Sequence, residues 1–203
     1  MEVIGEQHIT QLNVKQSLWD QVFTIAPLVV VGTRENKGYD LAPKHMVSPI
    51  GFGPYFAFVC TPRHGTFRNI RETGEFTVSF PKPDQLVFTS LSASPRQESI
   101  SKSDAIQETL PVVKAMGMDA PLVDGSYLYL ECRFYKLIEG FDDYAIITGE
   151  VVAAYADKEY ARLSEQDEQE QLYKNPLLAY VAPGRFARIA ETYNFPFPKD
   201  FKR

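Results

Sequence analysis

Ser126-Tyr127-Leu128-Tyr129-Leu130-Glu131-Cys132-Arg133-Phe134-Tyr135-Lys136-Leu137 alternates loosely between apolar and polar residues. After Glu139-Gly140-Phe141-Asp142-Asp143, a loop of turn formers, comes Tyr144-Ala145-Ile146-Ile147-Thr148-Gly149-Glu150-Val151-Val152-Ala153-Ala154-Tyr155. A period of two marks a strand with one buried face, so two such runs across a short turn predict a long hairpin. Gly149, inside the second run, marks a bulge or a close backbone approach.

Nearer the N-terminus, Leu28-Val29-Val30-Val31-Gly32-Thr33 is a β-branched run that starts just after Pro27, as a buried strand does. Arg34-Glu35-Asn36-Lys37-Gly38 is a polar turn and Tyr39–Leu41 a short strand, which predicts a second hairpin. Tyr55–Cys60, bounded by Pro54 and Pro62, and Glu75–Phe80, ended by Pro81, add further strands. Helices are fewer. Thr66–Glu72 has Phe67, Ile70 and Arg71 at helical spacing, with Thr66 as N-cap and Gly74 as stop. Pro83–Leu91, Asp104–Leu110 and the charged, solvated Lys158–Leu172 are the other predicted helices. The tail Pro183–Arg203 holds Phe186, Tyr193, Phe195, Phe197 and Phe201. Burying each is worth roughly 1.5–3 kcal/mol, so the tail is expected to pack on its own body or on a second subunit. Strands in hairpin blocks, without strand–helix alternation, predict a mainly β antiparallel barrel or sandwich. With no repeat or linker to mark a boundary, residues 1–203 read as one domain.

Composition removes several classes. With 44% hydrophobic and 23% charged residues the chain is an ordinary globular one. The longest apolar run, Ile25–Gly32, falls far short of the roughly 20 residues that span a bilayer. Met1–Gln11 is polar and lacks the basic-then-apolar order of a secretory signal. Two cysteines, Cys60 and Cys132, make no disulfide framework. A cytoplasmic protein with reduced thiols and no membrane partner is expected. The net charge of −5 argues against nucleic acid as a partner. His8, His45 and His64 stand at no metal-ligand spacing, so no metal is expected. There is no phosphate loop of the G-x-x-x-x-G-K-[ST] type and no G-x-S-x-G elbow. Gly51-Phe52-Gly53-Pro54 runs into a proline and a strand, which excludes a dinucleotide-binding turn.

Two loops carry the chemistry. In Cys60-Thr61-Pro62-Arg63-His64-Gly65-Thr66 a strand end leads into a helix start. Unpaired N–H groups, the helix dipole, hydroxyls and Arg63 there could hold a phosphate. The plainer reading is an ordinary cap beside a surface arginine. Ala42-Pro43-Lys44-His45-Met46 reads as an irregular loop. It offers backbone groups to the edge of a flat ring and apolar atoms to its faces; its plainer reading is a solvated lysine and a surface histidine.

Asp40-Leu41-Ala42-Pro43, Thr66-Phe67-Arg68-Asn69-Ile70 and Thr73-Gly74-Glu75-Phe76-Thr77-Val78-Ser79 resemble, in order, motifs of the flavin reductase-like domain family, the FMN-binding split barrels that include flavoredoxin. Leu130-Glu131-Cys132-Arg133, Thr148-Gly149-Glu150-Val151 and Pro176-Leu177-Leu178 with Gly184-Arg185-Phe186 extend the likeness over about residues 22–190.

The resemblance implies a six-stranded Greek-key split β-barrel with a few peripheral helices, a homodimer, and noncovalent FMN near the subunit interface. Asp40, Ala42, Pro43, Lys44, His45 and Met46 match the flavin loop. Cys60, Thr61, Arg63 and Thr66, with Asn69 just beyond, match the phosphate region; Ser92–Arg96 matches a further flavin contact poorly. Two positions depart from the family. Tyr144 stands where many members have a histidine linked with the nicotinamide side. Asp40 stands where many have Asn, and suits a ribityl hydroxyl or a turn cap better than a phosphate. The function implied is an FMN oxidoreductase drawing on NADH or NADPH. Lys44, then His45, are candidates for stabilising charge on the reduced ring, and Cys60 for a packed strand end. The alternatives are a non-catalytic FMN electron carrier, a binder of another planar ligand such as heme or pyridoxal phosphate, and a structural dimer.

Overall fold

In a computed structural model of the protein, the described residues are 9–36, 38–93, 110–163 and 166–199. The β-branched run forms strand β2 (Val29–Glu35), which follows β1 (Thr24–Pro27) and turns into β3 (Gly38–Lys44). β4 (Val47–Pro49) and β5 (Tyr55–Cys60) lead to helix α1 (Gly65–Thr73) and β6 (Glu75–Phe80). A 3-10 turn, Pro83–Gln85, runs into α2 (Leu86–Leu91). Then come β7 (Val112–Lys114), β8 (Pro121–Val123), β9 (Leu128–Phe141), β10 (Tyr144–Ala156), α3 (Glu168–Lys174), β11 (Leu177–Ala182) and β12 (Arg185–Ile189).

The main sheet has the order β3-β2-β6-β9-β10-β5-β4, antiparallel throughout. It is the curled sheet of a split barrel, with seven strands where six were expected; the short edge strand β4 is the addition. β1-β11-β12 form a second sheet and β7-β8 a third. The barrel interior holds Val29, Val31, Phe56, Phe58, Ile70, Phe76, Cys132 and Ile147. Phe58 and Phe76 meet edge to face at 5.5 Å between centroids.

The long hairpin forms as expected, but β9 runs on to Phe141, so only Asp142 and Asp143 turn the chain. Gly149 fills both of its expected roles. The register shifts between Thr148 and Gly149, and a Cβ there would lie 2.6 Å from Cε1 of Phe76.

Other expectations need correction. Ala42–Lys44 is strand, not irregular loop, because Val29–Val31 of β2 pair with it; only His45 and Met46 turn. The N-cap of α1 is His64, and Thr66 lies inside the first turn with its side chain buried. Gly74 does stop α1, at a left-handed φ of 73°. The helix expected over Lys158–Leu172 is confined to α3. Upstream, Asp157 takes the Glu159 amide at 3.0 Å and pairs with Lys82 at 2.6 Å, while Tyr160 stacks on Tyr127 at 4.8 Å. These tertiary contacts hold a turn where propensity alone favours helix. Asp167 caps α3 by accepting from the Glu170 amide. Of the predicted helix Asp104–Leu110, residues 104–109 lie outside the described residues, and Leu110 is buried beside Val30, Leu41 and Val123. The first part of the aromatic tail packs on its own body, where β12 pairs with β11, while farther on Tyr193 is 86% and Phe195 70% exposed. Phe201 lies outside the described residues.

Candidate functional site

Edge strands β3 and β4 are joined by His45 and Met46, and the candidate residues gather at this seam. Strand parity sorts them. Asp40, Ala42 and Lys44 pair with Thr33, Val31 and Val29 and share the face covered by α1. There the Thr66 hydroxyl donates to Asp40 Oδ2 at 3.3 Å, and Asn69 Nδ2 donates to Thr33 Oγ1 at 2.9 Å and Glu35 Oε1 at 3.4 Å. Asp40, Thr66 and Asn69 are buried, so these side chains bind the helix to the sheet instead of reaching outward. Lys44 Nζ lies 3.6 Å from Cys60 Sγ.

Cys60 ends β5 with its sulfur buried near the first turn of α1. Burial pushes its thiol pKa up, against the opposing pull of the Lys44 ammonium and of backbone hydrogen bonds at Thr61 and Phe67. Cys132, inside the barrel, is pushed up to about 12 by burial and by Glu131. Both cysteines are thiols at neutral pH. Thr61 is buried, and its carbonyl accepts the His64 amide at 3.0 Å. Arg63 is exposed and pairs with Asp143 at 3.0 Å, beside Tyr144. The amides of the first turn of α1 have no partner within the helix.

Pro43, His45 and Met46 face two clefts that share a wall. The His45 ring lies on Tyr180 of β11, with centroids 4.3 Å apart. Burial, then the charge of Lys44, hold His45 below its ordinary pKa, so the imidazole is neutral at physiological pH. The larger cleft, about 820 Å³, is floored by Met46, Val47, Val59 and Ile146 and walled by Trp19, Phe141, Tyr144 and Tyr180. The smaller, about 540 Å³, lies between Pro43, α2 and the β11–β12 turn. Both volumes are typical of small-molecule sites. Strand pairing sets the Thr61–Arg63 loop at the lip of the larger cleft: Cys60 is opposite Ala145, Val59 is opposite Ile146, and Arg63 bridges to Asp143.

The flavin reductase like domain model matches residues 23–181. The chain belongs to the flavin reductase-like domain family. This family member is similar to flavoredoxin from Methanosarcina acetivorans, with 21% identity, 93% of this chain and 95% of that chain covered, and a TM-score of 0.74. It is similar to 2-nitrobenzoate 2-nitroreductase from Pseudomonas fluorescens, with 20% identity, 97% and 98% covered, and a TM-score of 0.75. It also resembles an FMN-binding protein from Thermus thermophilus with bound p-hydroxybenzaldehyde, with 18% identity, 95% and 100% covered, and a TM-score of 0.71. These likenesses share the split-barrel fold of the flavin reductase-like domain.

Within this flavin reductase-like chain the structure thus brings together Asp40, Lys44, Cys60, Thr61, Thr66 and Asn69, turns Arg63 toward Asp143, and sends Pro43, His45 and Met46 to the clefts. Sequence reading missed Trp19, Phe141 and Tyr180 as cleft walls. They come from a 3-10 turn, a hairpin end and another sheet, and no local spacing links them. Ser92 is buried and donates to the Thr89 carbonyl at 2.7 Å, while 94–96 lie outside the described residues. Among the described residues no group of three His, Cys, Asp or Glu could hold a metal, and no helix is long and apolar enough to cross a membrane.

Proposed function

We propose that this protein is an FMN-dependent oxidoreductase that takes reducing equivalents from NADH or NADPH, with the flavin ring in the 820 Å³ cleft. The observation that carries this reading is one junction: the cleft is walled by Phe141 and Tyr144, and Arg63, two residues before helix α1, pairs with Asp143 between them in the chain. The walls suit the two faces of a planar ring. First-turn amides and a guanidinium suit a single phosphate, hence FMN as the flavin. The flavin reductase-like family membership supports the cofactor class.

A bound flavin supplies the hydride and electron chemistry, and the protein supplies binding, orientation and electrostatics. Met46, Val47 and Val59 would exclude water from one ring face. Lys44 carries the positive charge nearest the His45 bend and would stabilise negative charge on the reduced ring. His45, being neutral, contributes a hydrogen bond without charge. Tyr144 lines the cleft where many members of the family carry histidine. That phenol favours a second reading, an FMN carrier that exchanges electrons with a protein and uses nicotinamide poorly.

Mixing the protein with FMN and following flavin absorbance, then NADH and NADPH oxidation, tests both. Saturable flavin binding with turnover supports the oxidoreductase, and binding at buffer-level turnover supports the carrier. A Soret band from a purified heme complex, with no flavin uptake, overturns both.

We infer that the working form is a homodimer in the cytoplasm. Phe23 and Ile25, before and within β1, and Phe195 of the tail are each more than half exposed in the single chain. A second copy would cover them.

A further inference from the structure

The 540 Å³ cleft lies across the His45–Tyr180 wall from the proposed flavin site, and its chemistry differs. Val87 and Leu91, one helical turn apart on α2, face Phe186 of β12 across it; Val87 is 66% and Phe186 54% exposed. Such a cluster of large apolar side chains left open is uncommon on a soluble surface unless it binds something. Among the described lining residues the one fixed charge is Arg185, and there is no carboxylate. Arg185 makes no ion pair with a described residue, whereas Arg34, Arg63 and Arg162 each have an acidic partner. The Ser90 hydroxyl and the His45 ring add hydrogen-bonding groups to the lining.

We propose that this cleft is a second binding site, for a compact apolar or aromatic molecule bearing one carboxylate, with Arg185 as the carboxylate's partner. An apolar body would rest between Val87, Leu91 and Phe186. A guanidinium at the edge supplies the bidentate donor pair that matches carboxylate geometry. The larger cleft differs in its described lining, which has one carboxylate, Asp20, and no Lys or Arg.

The test is calorimetric titration of the full chain, with and without saturating FMN, using benzoate, benzamide and benzylamine as size-matched probes. Benzoate is expected to bind saturably, with roughly tenfold lower affinity for benzamide and none measurable for benzylamine. Arg185→Gln should erase the preference for benzoate over benzamide, and Val87→Ser should weaken both alike. Flavin uptake by the Arg185→Gln variant should be unchanged. Equal binding of benzoate and benzamide, displacement of benzoate by FMN, or no binding because a second copy fills the cleft would each overturn the proposal. Flavin binding is read separately by visible absorbance, so failure of this site and failure of the proposed function give different results.

Discussion

Lys44 is the last residue of β3, and its ammonium lies 3.6 Å from the Cys60 sulfur, at the seam of the barrel. Its neighbours on the same strand face, Asp40 and Ala42, face α1, whereas Pro43 and His45 face the clefts. A contiguous motif is thus split by the two-residue period of a strand into a half that faces the helix and a half that faces the clefts. If Lys44 stabilises charge on a reduced ring, Lys44→Met should make the flavin midpoint potential more negative, as read by equilibrium reduction against a reference dye. An unmoved potential would remove Lys44 from the electrostatics of the site.

Helix α1 is held to the sheet by side chains that read as ligands in the sequence. Thr66 is 1% exposed and donates to Asp40. Thr66→Ala should therefore destabilise the fold by about 1–3 kcal/mol in urea unfolding, because it leaves a buried carboxylate short of a donor. A loss of flavin affinity with unchanged stability would instead return Thr66 to the phosphate site. In the long hairpin, β10 passes over Phe76 at Gly149, where the ring is fully buried and has no room to give. Gly149→Ala should cost about 1–3 kcal/mol by overpacking, and a wild-type unfolding midpoint would show that the barrel wall relaxes there. The turn before α3 illustrates the same rule in reverse. Lys82, Asp157 and the Tyr127–Tyr160 stack decide the backbone of residues 157–161 against its helical composition.

At the scale of the molecule, the β7–β8 hairpin is latched to the β2–β3 hairpin by Asp119. A hydrogen bond from Tyr39 at 2.8 Å, then Lys114 at 3.2 Å, with Arg34 at 2.8 Å, hold its carboxyl below the ordinary value. A depressed folded-state pKa means stability that is present above the unfolded value, about 3.9, and lost as pH falls through the folded one. Asp119→Asn should lower the urea midpoint at neutral pH and flatten its decline on acidification. The group is open to solvent, so the effect should shrink in high salt. A wild-type pH profile in the variant would show that the latch contributes nothing. The exposed aromatics beside β1 and β12 predict a dimer by sedimentation, and a monomer at micromolar concentration would contradict the inferred assembly.

Period-two alternation, turn formers and Gly149 were enough to read the strands, the long hairpin and the mainly β class from residue order, since those signals are local. The family motifs likewise lie within single short stretches. What residue order could not reveal was which side of β3 each motif residue would face, that Thr66 and Asn69 would turn inward, or that Trp19, Phe141, Tyr144 and Tyr180 would wall one cleft. Those outcomes depend on strand register and on contacts between segments far apart in the chain, and such long-range pairings exist only once the sheet has closed.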